Sequence, residues 1–256
     1  MKKYTILLLI TIFAVNVFAQ ADQKSKVKTT VTATKTDSTL LELAKATLAA
    51  HGGDKFKNMR TLDVRGSVDV TTTQFPQTIP ATFATIYSGD KYRLEIQNPF
   101  QPLKQVYDGQ QTSSSINGFT FPPINRLGLP LLQKLGEKGF TVSELPEKLK
   151  KKKGFRITSP EGFYTDFLID EKTGQVKGYE SSYDINGREV TTSVEIDKFR
   201  TVEGVVIPER YSQRFDLGQL TAYADFKAKT ILVNSEVKDE IFTISKWNVL
   251  QVRSEK

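Results

Sequence analysis

The chain contains a single histidine, and the residues beside it invite a catalytic interpretation. His51 precedes the pair Gly52-Gly53, a pattern that also occurs in oxyanion-hole loops, where backbone N–H groups stabilise a developing negative charge. A hydrolase with such a loop needs a nucleophile elbow of the form Gly-x-Ser-x-Gly, which the sequence lacks. We therefore predict that His51 ends a helix, where a partial positive charge on its ring suits the negative end of the helix dipole.

Two aspartates are the next candidates for chemistry. Asp166 and Asp170 lie four residues apart in a predicted strand, which separates them by about 13 Å at about 3.3 Å per residue. Carboxyl groups share a proton only when they are adjacent, so no acid–base dyad is expected. One histidine and no cysteine exclude histidine-rich and thiolate metal sites. Because the sequence also lacks a phosphate-binding glycine loop and a dinucleotide fingerprint, we predict no catalytic residue, no metal and no cofactor.

Five lysines form what we call the basic cluster: Lys148, Lys150, Lys151, Lys152 and Lys153. Two interpretations stay open. The cluster is either a solvated turn or a contact with an anionic membrane or an envelope partner, where each lysine contributes about 1 kcal/mol.

The net charge bears on the same question. It is +7 for the whole chain, and Lys2 and Lys3 contribute two of these charges, so +5 remains without them. A secreted basic protein meets anionic lipid headgroups, lipopolysaccharide or acidic polymers rather than nucleic acid. A net charge that only keeps the protein in solution is the alternative.

The start of the chain has the pattern of a secretory signal. A basic Met1–Lys3 precedes an apolar stretch of about ten residues, which is too short to span a bilayer, and small residues offer cleavage near Ala19 or Ala21. Without a cysteine there is no lipid attachment, so a periplasmic protein is predicted. We expect a signal over 1–19, a flexible polar leader over 20–37 and a single domain over 38–256.

Two apolar elements are predicted to cover a sheet. Helical spacing over Thr39–Ala50 places leucines and alanines on one face, and Gly52-Gly53 supplies the conformation that ends the helix. The middle segment, residues 122–153, is rich in leucine and interrupted by prolines, which favours one or two short helices. The candidate lid residues on these two elements are Leu41, Ala44, Leu48, Leu131, Leu132 and Leu135.

Most of the remaining chain alternates apolar and polar residues with the period of a β-strand. The segment Lys91–Ile96 is the clearest case, because Tyr92, Leu94 and Ile96 share one face and charged residues share the other. Asp108-Gly109 is a strong hairpin signal. With short turns throughout, the pattern predicts an α+β, mostly β fold: one strongly curved antiparallel sheet of roughly nine to eleven strands, a half-open barrel with a helical lid on its concave apolar face.

Two stretches resemble the periplasmic lipoprotein carriers of the LolA/LolB type. The first contains Arg93-Leu94-Glu95, Pro99 and Asp108-Gly109, and the second consists of the hairpins Phe167–Tyr183 and Phe199–Pro208. The resemblance implies a non-catalytic carrier whose cavity shelters lipid or lipoprotein acyl chains. The sequence differs from these carriers after Asp108-Gly109, where their common aromatic residue is missing, and in its longer middle segment.

We therefore predict a monomeric periplasmic binding or carrier protein that is not an enzyme. Two other classes stay open: an envelope sensor or adaptor that binds a partner protein through the lid, and a secreted hydrolase with an unrecognised site. The residues predicted to line a hydrophobic ligand cavity are Phe83, Tyr92, Leu94, Ile96, Phe167, Tyr211 and Phe226.

Overall fold

Twelve antiparallel strands form one sheet in the part of the chain that the computed structural model describes, residues 38–74, 77–100, 102–116, 120–121, 123–185, 188–216 and 220–244. The predicted signal and leader lie outside these residues. The strands are β1 Thr61–Thr72, β2 Ile79–Ser88, β3 Lys91–Gln97, β4 Leu103–Tyr107, β5 Thr112–Ser114, β6 Thr141–Ser143, β7 Gly154–Thr158, β8 Tyr164–Ile169, β9 Val176–Ile185, β10 Arg188–Val202, β11 Val205–Asp216 and β12 Thr221–Val233.

The predicted fold class is confirmed, with twelve strands in place of nine to eleven. The two shortest, β5 and β6, have three residues each, too few for an alternating pattern to be recognised in the sequence. The order of the twelve strands across the sheet is β5-β4-β3-β2-β1-β12-β11-β10-β9-β8-β7-β6. Two meanders, β1 to β5 and β6 to β12, are therefore joined where β1 pairs with β12.

Three helices accompany the sheet in the described residues: α1 Ser38–Ala50, α2 Asp54–Lys57 and α3 Leu129–Gln133. The predicted first helix is thus confirmed and begins one residue earlier than expected. It ends as the glycine pair predicts, because Gly53 N–H donates to the Leu48 carbonyl and Gly52 N–H to the Ala49 carbonyl. Gly52 has a φ of 115°, and a Cβ there would lie 2.4 Å from the Gly204 carbonyl oxygen in the β10–β11 turn. Only glycine allows this approach.

The connection between β5 and β6 determines how the sheet is covered. These strands follow one another in sequence but lie at opposite edges of the sheet. The intervening chain, residues 115–140, must therefore pass over one face of the sheet, and we call it the crossing segment. It contains a 3-10 turn, Ile124–Arg126, and α3. Its leucines Leu131, Leu132 and Leu135 are buried in the main hydrophobic core, so the face that they cover is the inner, apolar one.

The opposite face of the sheet carries charge. Arg93 pairs with Glu95 on β3, and Arg156 binds Asp166 with two hydrogen bonds of 2.6 and 2.8 Å between β7 and β8. These side chains alternate with the core residues of their strands and so point away from the core. A sheet with one apolar and one charged face needs cover on only one side.

The sheet is strongly curled. Five strand spacings separate β2 from β9, which amounts to about 24 Å in a flat sheet. Yet Tyr87 on β2 and Tyr179 on β9 border the same cavity of about 400 Å³. A bulge between Arg65 and Gly66 and further register shifts in β8 and β10 supply local bends. The inner face therefore wraps around an enclosed space.

His51 connects α1 to two distant strands. Its side chain is fully buried, and Nδ1 lies 3.0 Å from the Val206 carbonyl oxygen while Nε2 lies 3.0 Å from the Val176 backbone N–H. A carbonyl only accepts and an N–H only donates, so Nδ1 carries the hydrogen and Nε2 accepts. The ring is neutral, and burial lowers its pKa from the ordinary value of 6.5. The prediction that His51 ends a helix is confirmed. The expected partial positive charge on its ring is wrong, because the ring is neutral. Its hydrogen-bond partners, Val176 and Val206, are too remote in the sequence for a local pattern to show this.

The neutral His51 makes folding stability depend on pH. Because its pKa is lower in the folded chain, the unfolded chain binds the extra proton, and stability should fall as the pH drops below about 6.5. His51→Ala should abolish this slope and lower the free energy of unfolding by about 2–4 kcal/mol, since two backbone groups lose their partners. Urea denaturation at pH 7.5 and pH 5.5 tests this.

The matched control is Lys45→Ala, because Lys45 is exposed on the same helix and forms only a surface pair with Glu42. It should change the unfolding free energy by less than about 1 kcal/mol and keep the pH slope. Since the chain has one histidine, an unchanged slope in His51→Ala would contradict the assignment.

Candidate ligand-binding site

A cavity of about 400 Å³ lies between the inner face of the sheet and the crossing segment. This volume is within the range of small-molecule sites, about 300–1,000 Å³. Seven strands supply its floor with the side chains of Leu62, Val64, Val70, Thr85, Tyr87, Leu94, Ile96, Tyr179, Thr192, Val194, Ile207, Pro208, Tyr211, Gln213, Phe215, Ala222, Ala224 and Phe226. The crossing segment and the end of α2 supply its roof with Phe56, Met59, Phe121, Ile124, Asn125, Leu127, Leu129, Pro130 and Gln133.

A buried glutamine fixes the start of the roof. Gln105 on β4 is fully buried, and its amide makes two hydrogen bonds with the backbone of Phe121: Oε1 accepts from the N–H at 2.5 Å, and Nε2 donates to the carbonyl at 3.0 Å. The Nε2 group also lies 2.7 Å from the Tyr92 hydroxyl. The side chain thus pairs with the crossing segment as a neighbouring strand would.

Further hydrogen bonds fix the middle of the roof. Asn125 Nδ2 donates to the Asp90 carbonyl in the β2–β3 turn at 2.7 Å. Gly128 N–H donates to the Thr165 hydroxyl on β8 at 3.0 Å, and a Cβ at Gly128 would lie 2.7 Å from the Tyr179 ring. A larger residue there would displace Tyr179 from the cavity wall.

The end of the roof is held by α2. Gln133 Nε2 donates to the Phe56 carbonyl at 2.8 Å, and Lys57 Nζ donates to the Leu135 carbonyl at 3.0 Å. With the bonds to β4, to the β2–β3 turn and to β8, the roof is attached at four separate places. It is therefore a fixed cover over the sheet rather than a loose loop.

The cavity reaches solvent at one end. The exposed members of its lining are Lys57, Arg60, Gly89, Asp90 and Glu137, which come from α2 and the residues that join it to β1, from the β2–β3 turn and from the end of the crossing segment. We call this end the mouth. Lys134 lies there too, 3.7 Å from Asp90 and 3.6 Å from Glu137. Three cations and two anions therefore surround the opening of an otherwise uncharged cavity.

Three tyrosines bring polar groups into the interior. Tyr87, Tyr179 and Tyr211 lie on β2, β9 and β11, and burial raises the pKa of each hydroxyl still further above neutral pH, where tyrosine is protonated in any case. Burial is the largest cause of each shift, and all three side chains border the same cavity. We call them the tyrosine cluster. Each hydroxyl can donate one hydrogen bond and accept others.

The seven side chains predicted to line a cavity divide into two groups. Leu94, Ile96, Tyr211 and Phe226 lie in its wall. Phe83, Tyr92 and Phe167 share the inner face but are 3% exposed or less and pack within the core. Phe83 meets Phe226 edge to face at 5.0 Å, Tyr92 is bound by Gln105, and Phe167 lies 5.4 Å from Phe155. The strand alternation identified the face, and the curl of the sheet decided which residues border the open space.

The predicted lid residues lie in the core outside the cavity wall. Ala44 is fully buried where α1 packs against β6 and β7, and Leu41 and Leu48 pack against the same core. Leu131, Leu132 and Leu135 turn away from the cavity, whose roof uses the neighbouring Leu127, Leu129 and Pro130 instead. The leucine-rich middle segment does cover the cavity, but it does so through Leu127 and Leu129 and not through the predicted leucines. The helix α1 covers a different part of the sheet, at β6 and β7.

The basic cluster is partly neutralised. Lys148 pairs with Glu180, and Lys150 pairs with Glu147 at 2.9 Å. Lys151, Lys152 and Lys153 are exposed and make no ion pair within the described part of the chain. Contact between this cluster and an anionic surface stays a prediction that depends on three lysines rather than five.

Several features of the site were not found in the sequence. Tyr87 and Tyr179 enter the wall only because the sheet curls, and Asn125 and Gln105 act through hydrogen bonds that join distant segments. The weak available signal was Tyr87, which alternates with Phe83 on one strand face.

The described residues contain no group of three or more side chains suited to hold a metal ion. The predicted absence of an aspartate dyad agrees with the geometry, since Asp166 binds Arg156 while Asp170 accepts from the Lys172 and Thr173 backbone N–H groups in a turn. None of the described helices has the length and apolar character needed to cross a membrane.

Comparison with known proteins finds similarity to solved structures. No protein-family model and no curated protein sequence matches the chain. A crystal structure of a LolA superfamily protein from Nitrosomonas europaea is similar over 77% of this chain and 97% of its own, with 11% identity and a TM-score of 0.48.

Two further crystal structures are similar to a comparable extent. A DUF1329 family protein from Desulfovibrio piger covers 80% of this chain and 97% of its own, with 8% identity and a TM-score of 0.47. An outer membrane lipoprotein-sorting protein domain from Vibrio parahaemolyticus covers 82% and 97%, with 10% identity and a TM-score of 0.42.

Removal of the Gln105 side-chain amide tests how the roof is held. Gln105→Leu deletes both hydrogen bonds to the Phe121 backbone and should lower the free energy of unfolding by about 1–3 kcal/mol. Hydrogen exchange measured by mass spectrometry should become faster in residues 120–137. Gln110→Leu, in an exposed turn, is the control and should leave exchange unchanged. Equal exchange in Gln105→Leu and the parent protein would show that the roof is held by other contacts.

Proposed function

We propose that the protein is a non-catalytic binding or carrier protein that shelters the apolar part of an amphipathic ligand in the cavity beneath the crossing segment. The observation that carries this proposal is an apolar cavity of about 400 Å³ with a fixed roof and one charged mouth. The ligand classes that suit it are lipids and the acyl chains of lipoproteins.

The energetics favour an apolar occupant. Each methylene group moved from water into such a site contributes about 0.8 kcal/mol. The mouth offers Arg60 and Lys57 to a charged headgroup, which can therefore stay in water while the chain is buried. An amphipathic molecule matches both ends of the site, whereas a wholly polar one would lose hydration against the leucine, isoleucine and phenylalanine walls.

The cellular setting proposed is the periplasm, on the basis of the signal pattern at the start of the chain. A carrier there would take its ligand from one envelope membrane or protein and release it to another. The basic cluster is the candidate surface for such a contact, through Lys151, Lys152 and Lys153. An adaptor that binds a partner protein and no lipid is the competing class.

Substitutions at Leu94 test the cavity. Leu94 lies in the floor and is only partly buried. At a filled core position, truncation of leucine lowers the free energy of unfolding by about 2–5 kcal/mol, and Leu94→Ala should lower it by less. Leu94→Trp should fill the cavity and abolish uptake of a fluorescent fatty acid while the protein stays folded. Paired urea denaturation and fluorescence titration give both quantities.

The matched control is Leu232→Trp, because Leu232 is 45% exposed on β12 and lies outside the cavity lining. It should bind the fatty acid like the parent protein. Large stability losses in both Leu94 variants, with no uptake by the parent, would identify a filled core and reject the carrier function.

Location in the cell is a separate prediction. The mature protein should be found in the periplasmic fraction with its first residue near Gln20 or Asp22, as shown by mass spectrometry of the extracted protein. Recovery in the membrane pellet after a carbonate wash, with Met1 to Ala19 still attached, would contradict it.

A further inference from the structure

We infer that the tyrosine cluster selects the ligand: the cavity takes a single-chain amphiphile whose buried part carries an uncharged hydrogen-bonding group, such as a hydroxyl, ester or amide. This inference rests on the proposed function and specifies the chemical class of ligand at the same site.

The three hydroxyls of the tyrosine cluster have no hydrogen-bond partner among the described residues. Within the described residues, Tyr87, Tyr179 and Tyr211 make no side-chain hydrogen bond, whereas Tyr92 and Tyr107 on the neighbouring strands do. In the described part of the chain, the buried side-chain atoms without a partner are Thr47 Oγ1 and Asn125 Oδ1, so the three unpartnered hydroxyls are not sealed in the packed interior. They border the cavity itself, where a ligand or water must satisfy them.

The three tyrosines converge on one cavity. They come from β2, β11 and β9, which span five strand spacings of the sheet, and all three side chains border the same space. Tyr211 stacks on Phe226 at 4.6 Å, and Gly128 packs against the end of the Tyr179 ring. Packing therefore fixes two of the three rings, so their hydroxyls present a preorganised set of donors and acceptors.

The charge of the cavity lining is confined to the mouth. Its charged members are Lys57, Arg60, Asp90, Lys134 and Glu137, and all of them lie there. A charged group beside the tyrosine cluster would lose its hydration without a counter-charge, which is far more costly than burying a hydroxyl or a carbonyl. The cluster therefore suits an uncharged group, and any ionic headgroup belongs at the mouth.

The size of the cavity limits how many chains it takes. A volume of about 400 Å³ is near the lower end of the range of small-molecule sites, about 300–1,000 Å³. It therefore suits one alkyl chain of medium length better than two or three chains side by side.

Two probes of equal length test the inference: dodecan-1-ol, which carries a hydroxyl, and 1-dodecene, which carries none. Their affinities are measured by displacement of a fluorescent fatty acid from the mature protein. The double substitution Tyr179→Phe with Tyr211→Phe should weaken dodecan-1-ol binding by about tenfold or more and change 1-dodecene binding by less than about twofold. The variant keeps both rings and should remain folded, as urea denaturation will verify.

The matched control is Tyr223→Phe, since Tyr223 is 43% exposed on β12 and lies outside the cavity lining. It should leave both affinities unchanged. If the double variant alters both probes equally, or neither, the selection by the hydroxyls is refuted while the carrier function stands. If neither probe binds the parent protein, the proposed function fails and this inference fails with it.

Discussion

One topological constraint determines the rest of the structure: the strands on either side of residues 115–140 lie at opposite edges of a twelve-stranded sheet. The chain between them cannot avoid the face of the sheet, and because the other face is charged, it crosses the apolar one. A crossing segment of this length is held above a curled surface at separate points, by Gln105, Asp90, Thr165 and α2. An attached roof over a curved floor leaves space between the attachments, which is the cavity.

The contacts of His51 and Gly52 also hold the strands of the cavity wall in place. His51 bonds to the backbone at the start of β9 and of β11, so the helix that precedes it is fixed to strands that contribute Tyr179 and Tyr211 to the cavity wall. Position 52 requires glycine for a related reason: a Cβ there would lie 2.4 Å from the Gly204 carbonyl oxygen, in the turn that leads into β11. The wall, the roof and the helix thus depend on one another through buried hydrogen bonds, whose loss leaves polar groups without partners.

Local patterns in the sequence predicted the fold class, the first helix and the strand Lys91–Ile96, because alternation and helical spacing are properties of neighbouring residues. They also selected the inner face at Leu94 and Ile96. They could not separate Leu94, which borders the cavity, from Tyr92 two residues earlier, which is sealed by Gln105. Nor could they find Tyr179 or the neutral state of His51, since both depend on segments more than a hundred residues away in sequence or five strands away in the sheet.

We propose that the cavity holds one small amphiphile in the cell. Native mass spectrometry of the protein purified without detergent from the envelope of its own cells tests it most directly. The account predicts a one-to-one adduct with the mass of a single-chain amphiphile, absent from Leu94→Trp purified in the same way. Only ligand-free protein, or an adduct that Leu94→Trp retains in full, would contradict it; a stoichiometric partner protein without lipid would point instead to the adaptor class.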